Sequence, residues 1–231
     1  MNPVDFYNET LTSVPTEHGF YPYESNGGTA LAIAGEDFCV VASDTRQSNG
    51  YLINARYAPK AFKMSEKAVL ANSVFAADGN ALVRRLTQRI QWYKHSHEKE
   101  ISITALAQLV SNTLYYKRFF PFYTQVLLGG IDESGAGVVY SFDPVGSYGL
   151  EVCRANGTAS ALIQPFLDNQ VEFKNVQFDD KPRMTLDRAI CIAKDAFTSA
   201  TERDIYTGDH LEIFIIKQDG ITIESYPLKK D

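Results

Sequence analysis

At 231 residues, 45% hydrophobic and 22% charged, the chain has the balance of an ordinary globular protein. Its net charge is −6 and its basic residues are scattered, apart from short pairs such as Arg84–Arg85, so no nucleic-acid partner is expected. The longest apolar stretches fall far short of a bilayer span, so no membrane partner is expected either.

Residues 1–27 carry Pro3, Pro15 and Pro22 and show no sustained period, which reads as an irregular N-terminal extension ahead of a single domain over 28–231. The extension lacks a basic start and an apolar core, so it is not a secretory leader, and an intracellular location is expected. The triplets Asn8-Glu9-Thr10 and Asn156-Gly157-Thr158 fit a glycosylation sequon but carry little weight without such a leader. Cys39, Cys153 and Cys191 have no metal-ligand spacing, and the apolar neighbours of Cys39 and Cys191 predict buried thiols in a reducing compartment. His95 and His97 sit at a polar helix end and read as solvated. Neither a metal nor a cofactor is expected.

Past the Gly27–Gly28 pair, short apolar segments Ala30–Ala34 and Phe38–Ala42 flank a turn-like Gly35-Glu36-Asp37, which predicts a hairpin. Asn49-Gly50 marks a turn, and Ala68–Phe75 reads as a strand. From Asp78 the period changes: Leu82, Leu86 and Ile90 are spaced for a helix. A second helix carries Ala105, Leu106, Leu109, Val110 and Thr113 on one face, with Ser102 or Thr104 as its cap. Strands return at Tyr123–Ile131 and Gly137–Phe142. A third helix is predicted over Thr158–Asp168. A fourth follows Thr185, with Leu186, Ala189, Ile190, Ala193 and Phe197 on its stripe. Strands Leu211–Lys217 and Ile221–Tyr226 close the chain around Asp219-Gly220, a strong hairpin signal. Antiparallel strands with segregated helix pairs argue for an α+β fold, and covering both faces of two stacked sheets gives a four-layer αββα sandwich.

The strings GGTALAIAGEDFCVVASDTR, Ala58-Pro59-Lys60 and SATERDIYTGD resemble the proteasome beta family, and the similarity runs from about Tyr21 to the C-terminus. KRFFPFY (117–123), YSFDPVGSY (140–148) and PFLDNQV (165–171) resemble its beta type-1 class, the sixth beta. Active members of that family are N-terminal nucleophile hydrolases. Their terminal threonine is deprotonated by its own α-amine, and a lysine held by an aspartate favours the charged species.

Carried over residue by residue, the resemblance places the aspartate on Asp44, the lysine on Lys60, and the supporting aspartate, hydroxyl and glycine on Asp204, Thr207 and Gly208. Counting back from Asp44 and Lys60, the nucleophile position falls on Gly28, which has no hydroxyl. Thr29 lies one residue out of register, and on a strand such a slip turns the side chain to the opposite face, so its hydroxyl is expected to leave the site.

The resemblance therefore implies a non-catalytic subunit of the 20S particle. It would stand in a seven-membered beta ring between an opposite beta ring and an alpha ring, in cytoplasm and nucleus, supporting ATP-dependent, ubiquitin-linked degradation by neighbouring threonine peptidases. Two rivals are an active peptidase using Thr29 and a free-standing scaffold with a silent hydrolase fold. Asp44 and Lys60 also fit a plain buried ion pair. The string Phe119-Phe120-Pro121-Phe122-Tyr123 reads first as core packing. The turn Asp143–Ser147, with Asp143 at the family's pocket-lining position, is a candidate wall for a neighbour's specificity pocket or else a simple surface turn.

Overall fold

The computed structural model describes residues 19–175, 177 and 181–231; the first eighteen residues, with the Asn8 triplet, lie outside them. Residues 19–28 form no helix or strand. The elements then follow in order: β1 (Thr29–Ala34), β2 (Phe38–Asp44), β3 (Gln47–Asn49), β4 (Leu52–Ala55), β5 (Ala61–Ser65) and β6 (Ala68–Val74). Helices α1 (Ala76–His97) and α2 (Ile103–Tyr115) precede β7 (Thr124–Ile131), β8 (Gly137–Phe142), β9 (Tyr148–Glu151) and β10 (Cys153–Gly157). The chain ends with α3 (Ser160–Gln170), α4 (Leu186–Thr201), β11 (His210–Lys217) and β12 (Gly220–Pro227).

Two antiparallel five-stranded sheets result, ordered β10-β1-β2-β11-β12 and β5-β6-β7-β8-β9, while β3 and β4 pair apart from both. The alternation of side chains along a strand builds the layers. In β1, Leu31 and Ile33 face α3 and α4, meeting Ile163, Leu167, Ala193 and Phe197. Ala30 and Ala32 face the other sheet, against Ala61, Val69, Ala71 and Leu127. The far face of that sheet packs Leu70, Val126 and Leu128 on Leu82, Leu86, Leu106 and Val110 of α1 and α2. Three apolar layers between four structural ones give the αββα sandwich. No helix among the described residues is long and apolar enough to cross a membrane.

Several expectations are corrected. Cys39 and Cys153 are buried, but Cys191 is exposed. The α4 stripe rotates so that Ile192 enters the core and Ile190 only flanks it, which turns Cys191 outward. Phe119 is 97% exposed and Phe120 half-exposed, so of that string's phenylalanines only Phe122 joins the core. Ser102, not Thr104, caps α2, accepting the Ala105 N–H. The third helix starts at Ser160, leaving Thr158 free for the site described next.

Candidate functional site

The start of β1, the end of β2, the segment before β5 and the α4–β11 loop converge at one mouth between the sheets. This brings Gly28, Asp44, Lys60, Asp204, Thr207 and Gly208 together. They form two hydrogen-bonded halves.

In the first half, Asp44 is fully buried. Its Oδ1 accepts the Thr29 N–H at 2.8 Å and faces Lys60 Nζ at 3.1 Å, and its Oδ2 accepts the Gly208 N–H at 3.1 Å. Burial pushes the Asp44 carboxyl up, against the Lys60 ammonium and the two N–H donors, which favour the carboxylate. The Lys60 ammonium, 8% exposed as a residue, also donates to the main-chain oxygens of Asp44 (3.0 Å) and Arg46 (2.6 Å). An ammonium has three donors, and all three are engaged.

In the second half, Asp204 Oδ2 accepts the hydroxyls of Thr158 (2.6 Å) and Thr207 (2.7 Å). The single Thr207 proton is thereby committed, so at the 2.8 Å contact between the hydroxyls Thr29 is the donor. The Ala159 N–H in turn donates to Thr29 Oγ1 at 3.1 Å. A directed chain runs from Ala159 through Thr29 and Thr207 to Asp204. The Thr29 side chain is fully buried. Its hydroxyl does not leave the cluster; it joins the Asp204 half.

Gly28 stands between the halves, its carbonyl accepting the Thr158 N–H at 3.0 Å. Its φ is +82°, following Gly27 at +66°. A β-carbon there would lie 2.0 Å from Lys60 Cε and 2.8 Å from Nζ. The lysine stem thus occupies the space that a side chain at position 28 would need.

Asp143 and Ser147 are not part of this cluster. They lie in the exposed β8–β9 turn, where Asp143 Oδ1 accepts the N–H groups of Val145 (3.0 Å) and Ser147 (2.8 Å). The turn borders an open groove of about 410 Å³ that also touches Glu151 and Arg154.

Sequence reasoning missed Arg46, Asp209 and Asn26. Arg46 is 2% exposed and donates Nε to Asp209 Oδ2 at 2.7 Å beneath Gly208. The signal available for it was the D-T-R string; for Asn26, whose side chain reaches across the mouth, there was none. One trio, Cys153, Asp168 and Glu172, has the proximity of a metal set. The Lys174 ammonium already bridges both carboxylates, at 3.2 and 2.7 Å. Burial, with both carboxylates adding to it, pushes the Cys153 thiol up to about 12, so it is a poor ligand.

A four-layer αββα sandwich whose first strand starts beside a buried aspartate–lysine pair is the N-terminal nucleophile hydrolase fold. The proteasome subunit family model matches residues 24–216. The chain is 49% identical to proteasome subunit beta type-6 of Saccharomyces cerevisiae, covering 97% of each chain. It is 49% identical to beta type-1 of Danio rerio, covering 94% of this chain and 92% of that one. With beta type-1 of Arabidopsis thaliana the identity is 50%, over 91% of this chain and 96% of that one. The chain belongs to the proteasome subunit family, in its beta class.

Proposed function

We propose that this chain is a non-catalytic subunit of the 20S proteasome core. It would hold a fixed place in a seven-membered beta ring, between a second beta ring and an alpha ring, in cytoplasm and nucleus. It would support ATP-dependent, ubiquitin-linked degradation carried out by threonine peptidase neighbours. The observation that carries this reading is Gly28, a residue without a hydroxyl at the position facing Lys60. Thr29 does not replace it, because its N–H is held by Asp44 and its hydroxyl proton is committed to Thr207. A terminal-threonine mechanism needs both the free amine and the hydroxyl.

Treating the assembled particle with an epoxyketone or boronate tests this. The expected result is adducts on other subunits and none on Thr29 by peptide mass spectrometry, with the chain still continuous across Gly27–Gly28. A Thr29 adduct would sink the reading.

Asp143 is the candidate for a role beyond scaffolding, as an acidic wall on the pocket of the adjacent chymotrypsin-like subunit. Because its Oδ1 also holds the turn together, Asp143→Asn is the informative change: it keeps the acceptor and removes the charge. Normal assembly is expected, with discrimination against acidic residues two or three places before the cut weakened roughly 1.5- to 5-fold, the scale of an exposed charge pair. Identical preferences, measured with fluorogenic peptides, would leave Asp143 as a turn residue only.

A further inference from the structure

Three Asn-Gly dipeptides occur in the chain, at 26–27, 49–50 and 156–157. Such a pair can cyclise on itself: the glycine nitrogen attacks the asparagine carboxamide carbon, ammonia leaves, and water opens the succinimide to aspartate or isoaspartate. Glycine permits the approach because it has no β-carbon to restrict its backbone. The step needs a carboxamide free to rotate and a main-chain nitrogen free to turn toward it. The fold supplies both at only one of the three places.

Two of the pairs are locked. Asn26 is 5% exposed; its Nδ2 donates to Ser48 O at 3.1 Å, and its Oδ1 accepts the Ala76 N–H at 2.9 Å. Asn156 is paired with Ala30 inside a five-stranded sheet, and its Nδ2 donates to Val126 O at 3.4 Å. The attacking atom there, the Gly157 nitrogen, donates its proton to Gln125 Oε1 at 3.1 Å. Each of these pairs must break two hydrogen bonds before it can react.

The third pair is open. Asn49 is the exposed last residue of the three-residue β3, and its carboxamide bonds none of the described residues. Gly50 is the first of two turn residues leading into β4, at φ +56°, where a II′ turn calls for glycine. Nothing lies within 4 Å of the place its β-carbon would take. Leu52, Ile53 and Asn54 across the turn are exposed as well. The first anchor behind the tip is Ser48, whose N–H donates to Asn26 C=O at 3.0 Å. Opening of the tip therefore disturbs little else, and a short exposed hairpin end lies at the low end of local stability.

We infer that Asn49 is a site of spontaneous deamidation, selected by the fold from three equivalent dipeptides. The inference is independent of the non-catalytic reading above. The balance is carboxamide plus water to carboxylate plus ammonia, with no oxidant or reductant. It adds one negative charge to a chain at −6, beside Tyr51 and Leu52, which are 94% and 71% exposed. The isoaspartyl product also routes the main chain through the side chain and inserts one more carbon between residues 49 and 50. The pairing of Asn49 with Leu52 is then lost, and the tip becomes acidic and misregistered. An isoaspartyl carboxylate is the substrate class of protein carboxyl methylation by a sulfonium methyl donor.

The test is a time course of peptide mass spectrometry on the full-length chain, aged folded in mildly alkaline buffer. Asn49 should convert about 10- to 100-fold faster than Asn26 or Asn156, the factor set by the two hydrogen bonds that each of those must break. In denaturant the three rates should converge, because the sequence pair is the same. Isoaspartate at position 49 should accept a labelled methyl group from S-adenosylmethionine in the presence of a carboxyl methyltransferase. Gly50→Ala should slow conversion at Asn49 and leave the other two rates unchanged. Equal rates at the three pairs in the folded chain overturn the inference. So does the same order of rates in denaturant, or conversion at Asn49 no faster than at the exposed Asn54, which precedes alanine. A Thr29 adduct would remove the non-catalytic reading without altering these rates, so the two failures are separable.

Discussion

Gly28→Thr is expected to destabilise the full-length chain by about 2–6 kcal/mol and to gain no peptidase turnover. The cost has two sources. A β-branched residue at φ +82° carries backbone strain of about 1–3 kcal/mol. Its β-carbon would also overlap Lys60 Cε, and relieving such overpacking costs about 1–3 kcal/mol. If Lys60 swings aside instead, it leaves Asp44 buried and the restored hydroxyl loses the ammonium it was meant to face. Restoring the hydroxyl therefore disrupts the group that would have assisted it. Gly28→Ala separates the terms, since it has the same β-carbon without hydroxyl or branching. Denaturant melts should place the two variants within about 1–2 kcal/mol of each other, both well below the parent. Full turnover by the threonine variant, or parent-like stability in both, would show that the chain relaxes around position 28.

Arg46→Met should be comparably costly, about 3–5 kcal/mol, because it leaves a buried carboxylate short of its main counter-charge. Arg46 bonds Asp209 and also the carbonyls of Ile205 (2.9 Å), Lys229 (3.4 Å) and Asp231 (3.2 Å), holding the C-terminal tail against the α4–β11 loop. Asp209 keeps one other cation, the half-exposed Arg56 at 2.5 Å.

Burial alone would raise the Asp209 pKa, but hydrogen bonds and charge from Arg46 and Arg56 outweigh it and hold the carboxyl below its ordinary value. The sign follows by linkage. A depressed folded-state pKa contributes stability that is fully present above the unfolded value, about 3.9, and is lost as pH falls through the folded value. The stability gap between parent and Arg46→Met should therefore narrow as pH is lowered from about 5 toward 2. A gap that stays constant over that range would assign the effect to packing and to the carbonyl bonds. The exposed Lys229–Glu202 pair, by comparison, should contribute at most about 1 kcal/mol.

The periodic elements were legible in the sequence. Strands β1, β2, β6, β7, β8, β11 and β12 and the four helices among the described residues fall within a few residues of the predicted positions. The helices bury a stripe that recurs at helical spacing, β1, β2, β6, β7 and β11 are largely buried runs, and β12, which buries no residue, is set by the Asp219-Gly220 turn. That Gly28, Asp44 and Lys60 would meet was expected from the family likeness, and the structure brings the three together. Strands β3, β4, β5, β9 and β10 were not legible, since each has only three to five residues and several face solvent, too short for a period to show.

Only the tertiary structure decided the rest. It turned Cys191 outward by a small rotation of α4 and left Phe119 and Phe120 on the surface. It also directed the Thr29 proton to Thr207, and it placed the Lys60 stem where a side chain at position 28 would stand. The first turn of α1 finds its acceptor on Asn26, fifty residues earlier in the chain, where no capping signal of the local kind exists. The physical reason is common to these cases. A residue's period states which face is apolar, but buried donors and acceptors must be paired wherever the packed layers place them, and those partners lie far apart in the chain.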